Sequence, residues 1–385
     1  MICRALTIAT LALTATAPAT AQKPDSGAFV IRLGKDTLAI ERFVRTPQQL
    51  ISEVAYRVPQ TRAMQITITY KPDGNVSWYE AVNNKVPGVP NAAPMARTLV
   101  TYIGDSAQVQ TWVDAVARSP RSIKARADAV PLSIPFYATF DAALRHARKL
   151  GKDSSAIAVL GGNTPTFYPV KLVTADSLVM LMPGSGPVFV KTDANGGIVR
   201  LDGSQTTFKV VVTRTKWPDL APWLKRWATA DSAGKSLGML SPRDTIDLAI
   251  GTTGVLIDYS RPSMRGRKIF GNIVPWNQVW RTGANAATQV EFDGDVEING
   301  VSIPKGKYTI WTLPGEKEWQ LIINKQTGQW GTVYDDKQDL VRIPLKTEVL
   351  TRPVEEFTIS LDPSGLFSLS WERTRAVARI REKKN

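Results

Sequence analysis

The stretch Met64-Gln-Ile-Thr-Ile-Thr-Tyr70, followed by Pro72-Asp-Gly-Asn75 and Val76-Ser-Trp-Tyr-Glu-Ala-Val82, sets the fold class of this chain. In its first part apolar and polar residues alternate, which places the apolar side chains on one face of a strand. The Pro-Asp-Gly-Asn segment is typical of a tight turn, so the next apolar stretch returns antiparallel to the first. The pattern predicts a β-hairpin, and similar pairs of strands recur along the chain.

The N-terminal half is predicted to be a β-meander interrupted by one helix. Further strands are predicted over 99–103, 107–112, 168–173, 177–182, 188–192, 198–201 and 207–213. The helix is predicted over 141–150, with Thr139 as its N-cap and Gly151 just past its end. Such an antiparallel β-meander or open half-barrel with one inserted helix resembles, in architecture alone, the open half-barrels of bacterial lipoprotein and lipid carriers.

The C-terminal half is predicted to contain only short strands at regular spacing. They cover 245–250, 255–259, 288–292, 296–299, 307–313, 319–324, 347–350, 356–361, 366–371 and 375–380. Turn residues such as Asn299-Gly300 separate them. This spacing predicts an antiparallel β-sandwich or jelly roll, so the whole chain is expected to be mainly β.

A helix and a linker divide the two halves. Apolar residues at helical spacing predict a helix over 218–229, and the small and polar residues over 231–238 favour a flexible connector. The predicted organisation is a signal peptide over 1–21, a β-rich domain over 22–216, a helix and linker over 217–239, and a β-sandwich domain over 240–385.

The N-terminus has the features of a secretory signal. Arg4 supplies a positive charge, the apolar stretch over 5–17 is too short to span a bilayer, and Ala19-Thr-Ala21 is a small-x-small cleavage site. We therefore expect a periplasmic or secreted protein whose mature chain begins at Gln22. No later stretch has the length of a membrane helix, so no transmembrane segment is predicted.

The scarcity of cysteine and histidine restricts the chemistry of the mature chain. The one cysteine, Cys3, lies in the signal, so we expect neither disulfides nor thiolate catalysis. The one histidine, His146, cannot form the multi-histidine sites that bind zinc, copper or iron. The sequence predicts no metal site and no cofactor.

The positive charge is concentrated before the C-terminal domain. The formal net charge is +14, whereas the chain from Ser241 onward has 20 lysines and arginines against 18 aspartates and glutamates. The basic residues are densest over 118–152, which favours partners such as an anionic small molecule, a glycan or a lipid headgroup. Export argues against nucleic acid. The alternative is a solvated basic surface that aids solubility.

Four motifs in the C-terminal half combine arginine, tryptophan and asparagine with short strands. They read Asp258-Tyr-Ser-Arg-Pro-Ser-Met-Arg-Gly-Arg-Lys-Ile-Phe270, Val279-Trp-Arg-Thr-Gly-Ala-Asn-Ala-Ala-Thr288, Gly306-Lys-Tyr-Thr-Ile-Trp-Thr-Leu-Pro-Gly-Glu-Lys-Glu-Trp319 and Asn324-Lys-Gln-Thr-Gly-Gln-Trp-Gly-Thr332. In this order they resemble the domain of unknown function 2911 family, over about residues 240 to 380. The family description implies no activity.

The loop from Arg261 to Thr288, the Arg261–Thr288 loop, is the first candidate for a binding site. Guanidinium groups bind carboxylates and phosphates in bidentate fashion and stack on indoles, which suits an anionic ligand. The predicted ligand-binding residues are Arg261, Arg265, Arg267, Lys268, Trp280, Arg281, Asn285, Thr288, Trp330 and Tyr334. The alternative is structural, because a long loop must also satisfy its own backbone polar groups.

The sequence predicts a non-catalytic protein that binds an anionic small molecule, a glycan or a lipid. One alternative is a hydrolase that acts on glycans or other envelope components with Asp335 or Asp339 near Arg281. Another is a structural docking module of the cell envelope. No oligomeric state is predicted.

The signal predicts one processing event. When the full chain is expressed in a bacterium with a secretory pathway, the exported product should begin at Gln22, as read by mass spectrometry of its N-terminal peptide. A product that stays in the cytoplasm and retains Arg4 would contradict the assignment.

Overall fold

The computed structural model describes residues 25–149, 154–160 and 166–383. The predicted signal peptide, its predicted cleavage site and Cys3 lie outside the described residues, as does Gly151 after the predicted inserted helix. No helix within these ranges is long and apolar enough to cross a membrane.

The N-terminal domain is one antiparallel sheet. Its strands are β1 (Asp25–Leu33), β2 (Asp36–Arg45), β3 (Gln49–Tyr56), β4 (Arg62–Tyr70), β5 (Val76–Asn84), β6 (Ala96–Ile103), β7 (Ser106–Val113), β8 (Val116–Ala117), β9 (Arg121–Lys124), β10 (Ser154–Val159), β11 (Thr166–Thr174), β12 (Ser177–Met182), β13 (Gly186–Thr192), β14 (Ile198–Asp202) and β15 (Val211–Thr215). Each strand pairs with its neighbour in sequence, except that β15 pairs with β1 and β9 pairs with β7. The predicted meander is confirmed, and the sheet stays open.

Two helices pack on opposite faces of this sheet. Helix α1 (Tyr137–Lys149) lies on the inner face, where Phe140 and Leu144 join the main N-terminal core. Helix α2 (Ala221–Ser232) lies on the outer face, where Trp227 packs with Ile40 and Ala55 of β2 and β3. The alternation of side chains along β2 and β3 therefore supplies apolar residues to both faces.

Helix α1 begins earlier than the sequence predicted, because its cap comes from another element. The buried carboxylate of Glu41 on β2 accepts hydrogen bonds from the amides of Tyr137 (2.7 Å) and Ala138 (3.0 Å) and from the hydroxyl of Ser52 (2.6 Å). Thr139 lies inside the helix, and its hydroxyl donates to the carbonyl of Phe136. The prediction of Thr139 as N-cap was wrong, since Glu41 satisfies the first amides of the helix.

The C-terminal domain is a second antiparallel sheet. Its strands are β16 (Arg243–Ile250), β17 (Thr253–Ser260), β18 (Thr288–Phe292), β19 (Val296–Ile298), β20 (Val301–Ile303), β21 (Gly306–Pro314), β22 (Trp319–Asn324), β23 (Asp339–Leu361) and β24 (Leu366–Glu382), with a short 3-10 helix at Asp336–Gln338. The order in the sheet is β16-β17-β18-β21-β22-β23-β24-β19-β20. The mainly β fold class is confirmed, with two separate open sheets.

The C-terminal sheet folds over its own core. The hydroxyl of Tyr259 on β17 donates to the carbonyl of Ile359 on β23 (3.3 Å), and the Tyr259 and Phe357 rings meet edge to face at 5.9 Å. These contacts bring the first and the later strands together around buried Phe292 and Trp319. The two-layer packing follows from strands that each bury one face.

Several strands differ from the sequence predictions. Strands β1 to β3 were missed, and β23 and β24 were each predicted as two short strands. The pairing of β23 with β24 shifts register between Val349 and Val354 and again before Thr358, which explains why the sequence pattern breaks there. The strand predicted over 207–213 begins only at Val211, because Lys209 has a positive φ of 57°.

The two domains touch where the turn between β1 and β2 meets the Arg261–Thr288 loop. The amide of Lys35 donates to the carbonyl of Arg265 (3.0 Å), and the Arg265 guanidinium bonds the Asp36 carboxylate (2.7 Å). A Cβ on Gly34 would lie 2.1 Å from that Arg265 carbonyl, so only glycine permits this approach.

The connector between the domains is anchored to the N-terminal domain. The carboxylate of Asp231, at the end of α2, accepts a hydrogen bond from the amide of Thr61 (2.7 Å). The amide of Gly238 donates to the carbonyl of Pro59 (3.0 Å). Leu237 packs against the N-terminal core. These contacts hold in place a segment whose composition had favoured a flexible linker.

The role of Glu41 gives a stability prediction. Glu41→Ala leaves two helix amides and one hydroxyl in the core without their acceptor, so we expect a loss of about 3 kcal/mol in the free energy of unfolding, measured by denaturant titration. The control is Glu53→Ala on β3, whose half-exposed ion pair with Arg42 should contribute about 1 kcal/mol or less. Equal losses in the two variants would contradict the capping role.

Candidate functional site

A cleft lies between α1 and the inner face of the N-terminal sheet. Its volume is about 570 Å³, within the range of roughly 300–1,000 Å³ that is typical of small-molecule sites. Strands β1, β2 and β4, the turn between β4 and β5, the segment before α1, the helix itself and the turn between β13 and β14 all contribute to its walls.

The interior of the cleft is apolar. Ile68 and Val76 from the β4–β5 hairpin are buried, and Val130 and Ala143 face them from the segment before α1 and from the helix. Tyr70 also lines the cleft, and burial raises the pKa of its hydroxyl to about 12. This lining is suited to the apolar part of a ligand.

Two arginines at the rim are held by carboxylates. The fully buried Asp141 of α1 accepts hydrogen bonds from Arg45 (2.7 Å) and from Arg145 (3.0 Å) through the same oxygen. Its other oxygen accepts from the amide of Ile198 on β14. Asp25 lies 3.2 Å from Arg45 and 3.5 Å from Arg145. These contacts tie α1 to β1, β2 and β14, and they balance the charges of both arginines.

Arg148 is the rim cation without a carboxylate partner among the described residues. Its guanidinium donates to the hydroxyl of Thr192 and to the carbonyl of Ala175, both of which are neutral. The exposed His146 lies on the same helix and also lines the cleft. The rim therefore offers positive charge next to an apolar interior.

Burial dominates the electrostatics of Glu41 below the cleft. It raises the pKa of Glu41 to about 7, against the opposing effect of the hydrogen bonds from Ser52, Ala138 and Tyr137, while the nearby Asp141 raises the pKa further. Glu41 does not line the cleft, and its role is to fix the start of α1.

Most arginines of the loop that the sequence predicts as a binding site form ion pairs or hydrogen bonds within the protein. Arg261 lies 3.3 Å from both Asp244 and Glu356. Arg265 bonds Asp36 across the domain junction. Arg267 donates to backbone carbonyls at Ser263 and Met264, whereas Lys268 is exposed.

The central part of this loop packs into the domain. The Trp280 ring stacks on Trp371 at 5.8 Å, and its backbone pairs with Thr312 in both directions. Thr288 is fully buried, and its hydroxyl donates to the carbonyl of Thr282 (2.7 Å). The Asn285 carbonyl accepts from the amide of Gly331, and the residue itself is exposed.

Trp330 and Tyr334 occupy different environments. Trp330 is 53% exposed, so its indole is accessible to a ligand. The Tyr334 hydroxyl donates to Asp339 (2.7 Å) and accepts from Arg342 (3.0 Å). Asp339 also accepts from Asn324, and Asp335 caps the following 3-10 helix. The two carboxylates considered for hydrolysis therefore both have structural partners.

Arg281 is the loop arginine that remains without a partner. Among the described residues none accepts a hydrogen bond from its side chain, and its Nε is buried. Burial lowers the pKa of its guanidinium. The Arg281 side chain lies against Gly331. A Cβ at position 331 would be 2.1 Å from the Arg281 Cδ, so glycine is needed there to make room for the arginine.

Lys209 of the N-terminal domain was not predicted as a site residue. It reaches the C-terminal loop, where its Nζ donates to the carbonyl of Ile273 (3.3 Å). Burial, followed by the charges of Arg281 and Arg267, lowers the pKa of Lys209 to about 8. No signal in the sequence links Lys209 to a loop more than 50 positions away.

No group of three or more histidine, cysteine, aspartate or glutamate side chains in the described ranges is arranged to hold a metal ion.

The depressed pKa of Lys209 gives a prediction about pH. A lysine whose folded pKa is about 8, against 10.5 for the free group, destabilises the fold while it is protonated, and this effect disappears as the pH rises from about 8 to 10.5. Lys209→Met should therefore raise the free energy of unfolding at pH 7 by about 1–2 kcal/mol, allowing for solvent screening. The gain should vanish by about pH 10.5.

The matched control is Lys317→Met, which replaces an exposed lysine of the C-terminal domain. Denaturant titrations at several pH values measure both variants. If Lys209→Met destabilises the protein at pH 7, its ammonium group is not under the electrostatic penalty described above.

Comparisons with known proteins found a family model that matches most of the C-terminal domain. No curated protein matches the chain. Among solved structures, the chain is similar to a DUF1089 family protein from Pseudomonas aeruginosa, with 11% identity and a TM-score of 0.31 over 43% of this chain and 89% of that one. Residues 241–380 match the family described as "Protein of unknown function (DUF2911)", which confirms the resemblance found in the four motifs. The match covers residues 241–380 of the 385-residue chain, which is most of its C-terminal domain.

Proposed function

We propose that this is an exported, non-catalytic binding protein that holds an amphiphilic anion, of the fatty-acid or lipid class, in the cleft beneath α1. The observation that carries the proposal is the combination of an apolar interior and a basic rim in one cleft of about 570 Å³. Its location in the periplasm or outside the cell rests on the N-terminal signal.

The apolar lining of the cleft favours a ligand with an apolar part. Ile68, Val76 and Ala143 are almost completely buried, so a ligand that reaches them must give up its hydration. Transfer of alkyl groups to such a surface is favourable by about 0.8 kcal/mol for each buried methylene group. A free sugar would lose hydrogen bonds to water there without equivalent partners, which favours a lipid over a glycan.

The charges of the rim favour an anionic head group. Arg45 and Arg145 are already balanced by Asp141 and Asp25, so they add little net charge. Arg148 donates only to neutral oxygens and can therefore pair with a carboxylate or phosphate. His146 lies on the same helix and lines the same cleft.

One observation favours the alternative of a docking module in the envelope. The outer face of the sheet exposes Phe167, Val173, Leu181 and Phe189 on neighbouring strands β11, β12 and β13. Exposed apolar patches of this kind are typical of surfaces that contact another protein or a membrane. The hydrolase alternative gains no such support, because Asp335 and Asp339 are occupied.

The proposal predicts how two variants change ligand binding. Arg148→Gln should weaken the binding of a fluorescent long-chain fatty acid about tenfold, the loss of about 1.4 kcal/mol expected for one charge-assisted contact. Binding of the corresponding methyl ester should not change, since the ester has no charge. Ala142→Phe, which fills the cleft from the helix, should weaken both ligands.

The matched controls are Arg118→Gln and Ala117→Phe, both at exposed positions that do not line the cleft. Fluorescence titration measures all five proteins, and thermal unfolding confirms that they fold. The proposal fails if the parent protein binds no fatty acid at micromolar concentration, or if the cleft variants and their controls behave alike.

A further inference from the structure

One tyrosine hydroxyl in the wall of the cleft has no hydrogen-bond partner among the described residues. It belongs to Tyr70 of β4, which lines the cleft beneath α1. The threonine hydroxyls of the lining differ, because Thr46 accepts from the amide of Gln49 (3.0 Å) and Thr139 donates to the carbonyl of Phe136 (2.6 Å). The Tyr70 hydroxyl is therefore available to a ligand.

The register of the sheet places Tyr70 between the basic rim and the apolar interior of the cleft. Tyr70 pairs with Val76 of β5, which is buried and lines the interior. Ile68, two residues earlier on the same face of β4, pairs with Leu50, whose other partner is Arg45 of the rim. A ligand that runs from the rim into the interior therefore passes Tyr70.

The Tyr70 hydroxyl is a hydrogen-bond donor at neutral pH. Burial raises the pKa of this hydroxyl to about 12, and the positive charge of Arg45 opposes the effect. The hydroxyl therefore keeps its proton, and the charge of the guanidinium adds to the attraction of an acceptor oxygen at this position. A second donor here would be repelled by the same charge.

An alkyl chain beside Tyr70 would leave its hydroxyl without an acceptor. The chain would displace water from the hydroxyl, and a buried donor without a partner carries its full desolvation penalty. A free fatty acid has one polar group, and a carboxylate that pairs with Arg148 leaves only alkyl groups for Tyr70. A ligand with a second acceptor between its head group and its alkyl chain avoids this penalty.

The donors of the cleft are spread along α1. Arg148 lies seven residues after Asp141, the residue that holds Arg45, which corresponds to about 10 Å along the helix axis. In a monoacyl glycerophosphate the glycerol unit separates the phosphate from the ester carbonyl. Such a ligand therefore presents acceptors at two separate points, as the donors of the cleft require.

We propose that Tyr70 donates a hydrogen bond to the ester carbonyl of the ligand, and that the cleft prefers a monoacyl glycerophosphate, whose phosphate pairs with Arg148, to a free fatty acid. The inference rests on the proposed function and deepens it, because it names the class of lipid and the residue that selects this class.

The test compares three lipids by isothermal titration of the mature protein. They are 1-palmitoyl glycerol 3-phosphate, its ether analogue 1-hexadecyl glycerol 3-phosphate, and palmitate, each below the concentration at which it forms micelles. The two glycerophosphates differ only in the carbonyl oxygen. We expect the parent protein to bind the ester about fivefold more tightly than the ether, the effect of one neutral hydrogen bond, and to bind palmitate more weakly than the ester.

Three variants assign the preference to one side chain. Tyr70→Phe should lower the affinity for the ester about fivefold and leave the affinity for the ether unchanged. Tyr168→Phe is the matched control, because it removes a hydroxyl from the same sheet at a position that does not line the cleft, and it should keep the preference for the ester. Arg148→Gln should weaken both glycerophosphates by the same factor, since both retain the phosphate.

The outcomes separate this inference from the proposed function. If the parent binds ester and ether equally tightly, or if Tyr70→Phe keeps the preference for the ester, the inference is wrong although the cleft binds lipids. Tighter binding of palmitate than of the ester would overturn the inference in the same way. If the parent binds none of the three lipids, the proposed function fails as well. The comparison of ester with ether in the parent does not depend on the folding of any variant.

Discussion

The cleft of the N-terminal domain depends on two buried carboxylates that hold α1 on the sheet. Glu41 reaches from β2 to the first amides of the helix, and Asp141 reaches from the helix to Arg45 and to the backbone of Ile198. Buried charges are tolerated only when they are paired and hydrogen-bonded, and here every carboxylate oxygen has a partner. Because these contacts fix the position of α1, part of the helix can lie at a distance from the open sheet, and the cleft occupies the space between them.

The basic side chains of the cleft and those of the domain junction have different partners. In the cleft, most arginines are neutralised by nearby carboxylates, and Arg148 retains unbalanced charge at the rim. At the domain junction, Lys209 donates to the carbonyl of Ile273, and the buried Nε of Arg281 has no hydrogen-bond partner among the described residues. The arrangement in the cleft suits a head group at the edge of an apolar site.

The mainly β fold class could be predicted from the sequence. The alternation of apolar and polar residues and the residues typical of turns both depend only on neighbouring positions in the chain. Strand β2 was missed because Glu41 places a carboxylate where the pattern requires an inward apolar residue. Strand β23 was predicted as two strands because its register shifts around Pro353. The motif singles out Arg281 as a candidate ligand-binding residue, which stays a prediction. Nothing in the sequence points to Lys209, because only folding brings it to the loop that contains Ile273.

The central claim, that the cleft binds an amphiphilic anion, is tested most directly by photo-crosslinking. A long-chain fatty acid with a diazirine in its alkyl chain would be bound to the mature protein, irradiated, and its attachment sites mapped by peptide mass spectrometry. We predict labels at cleft residues such as Tyr70, Val76 and Ala142. Labels confined to the outer face of the sheet, at Phe167 and Phe189, would contradict the account and favour a docking surface instead.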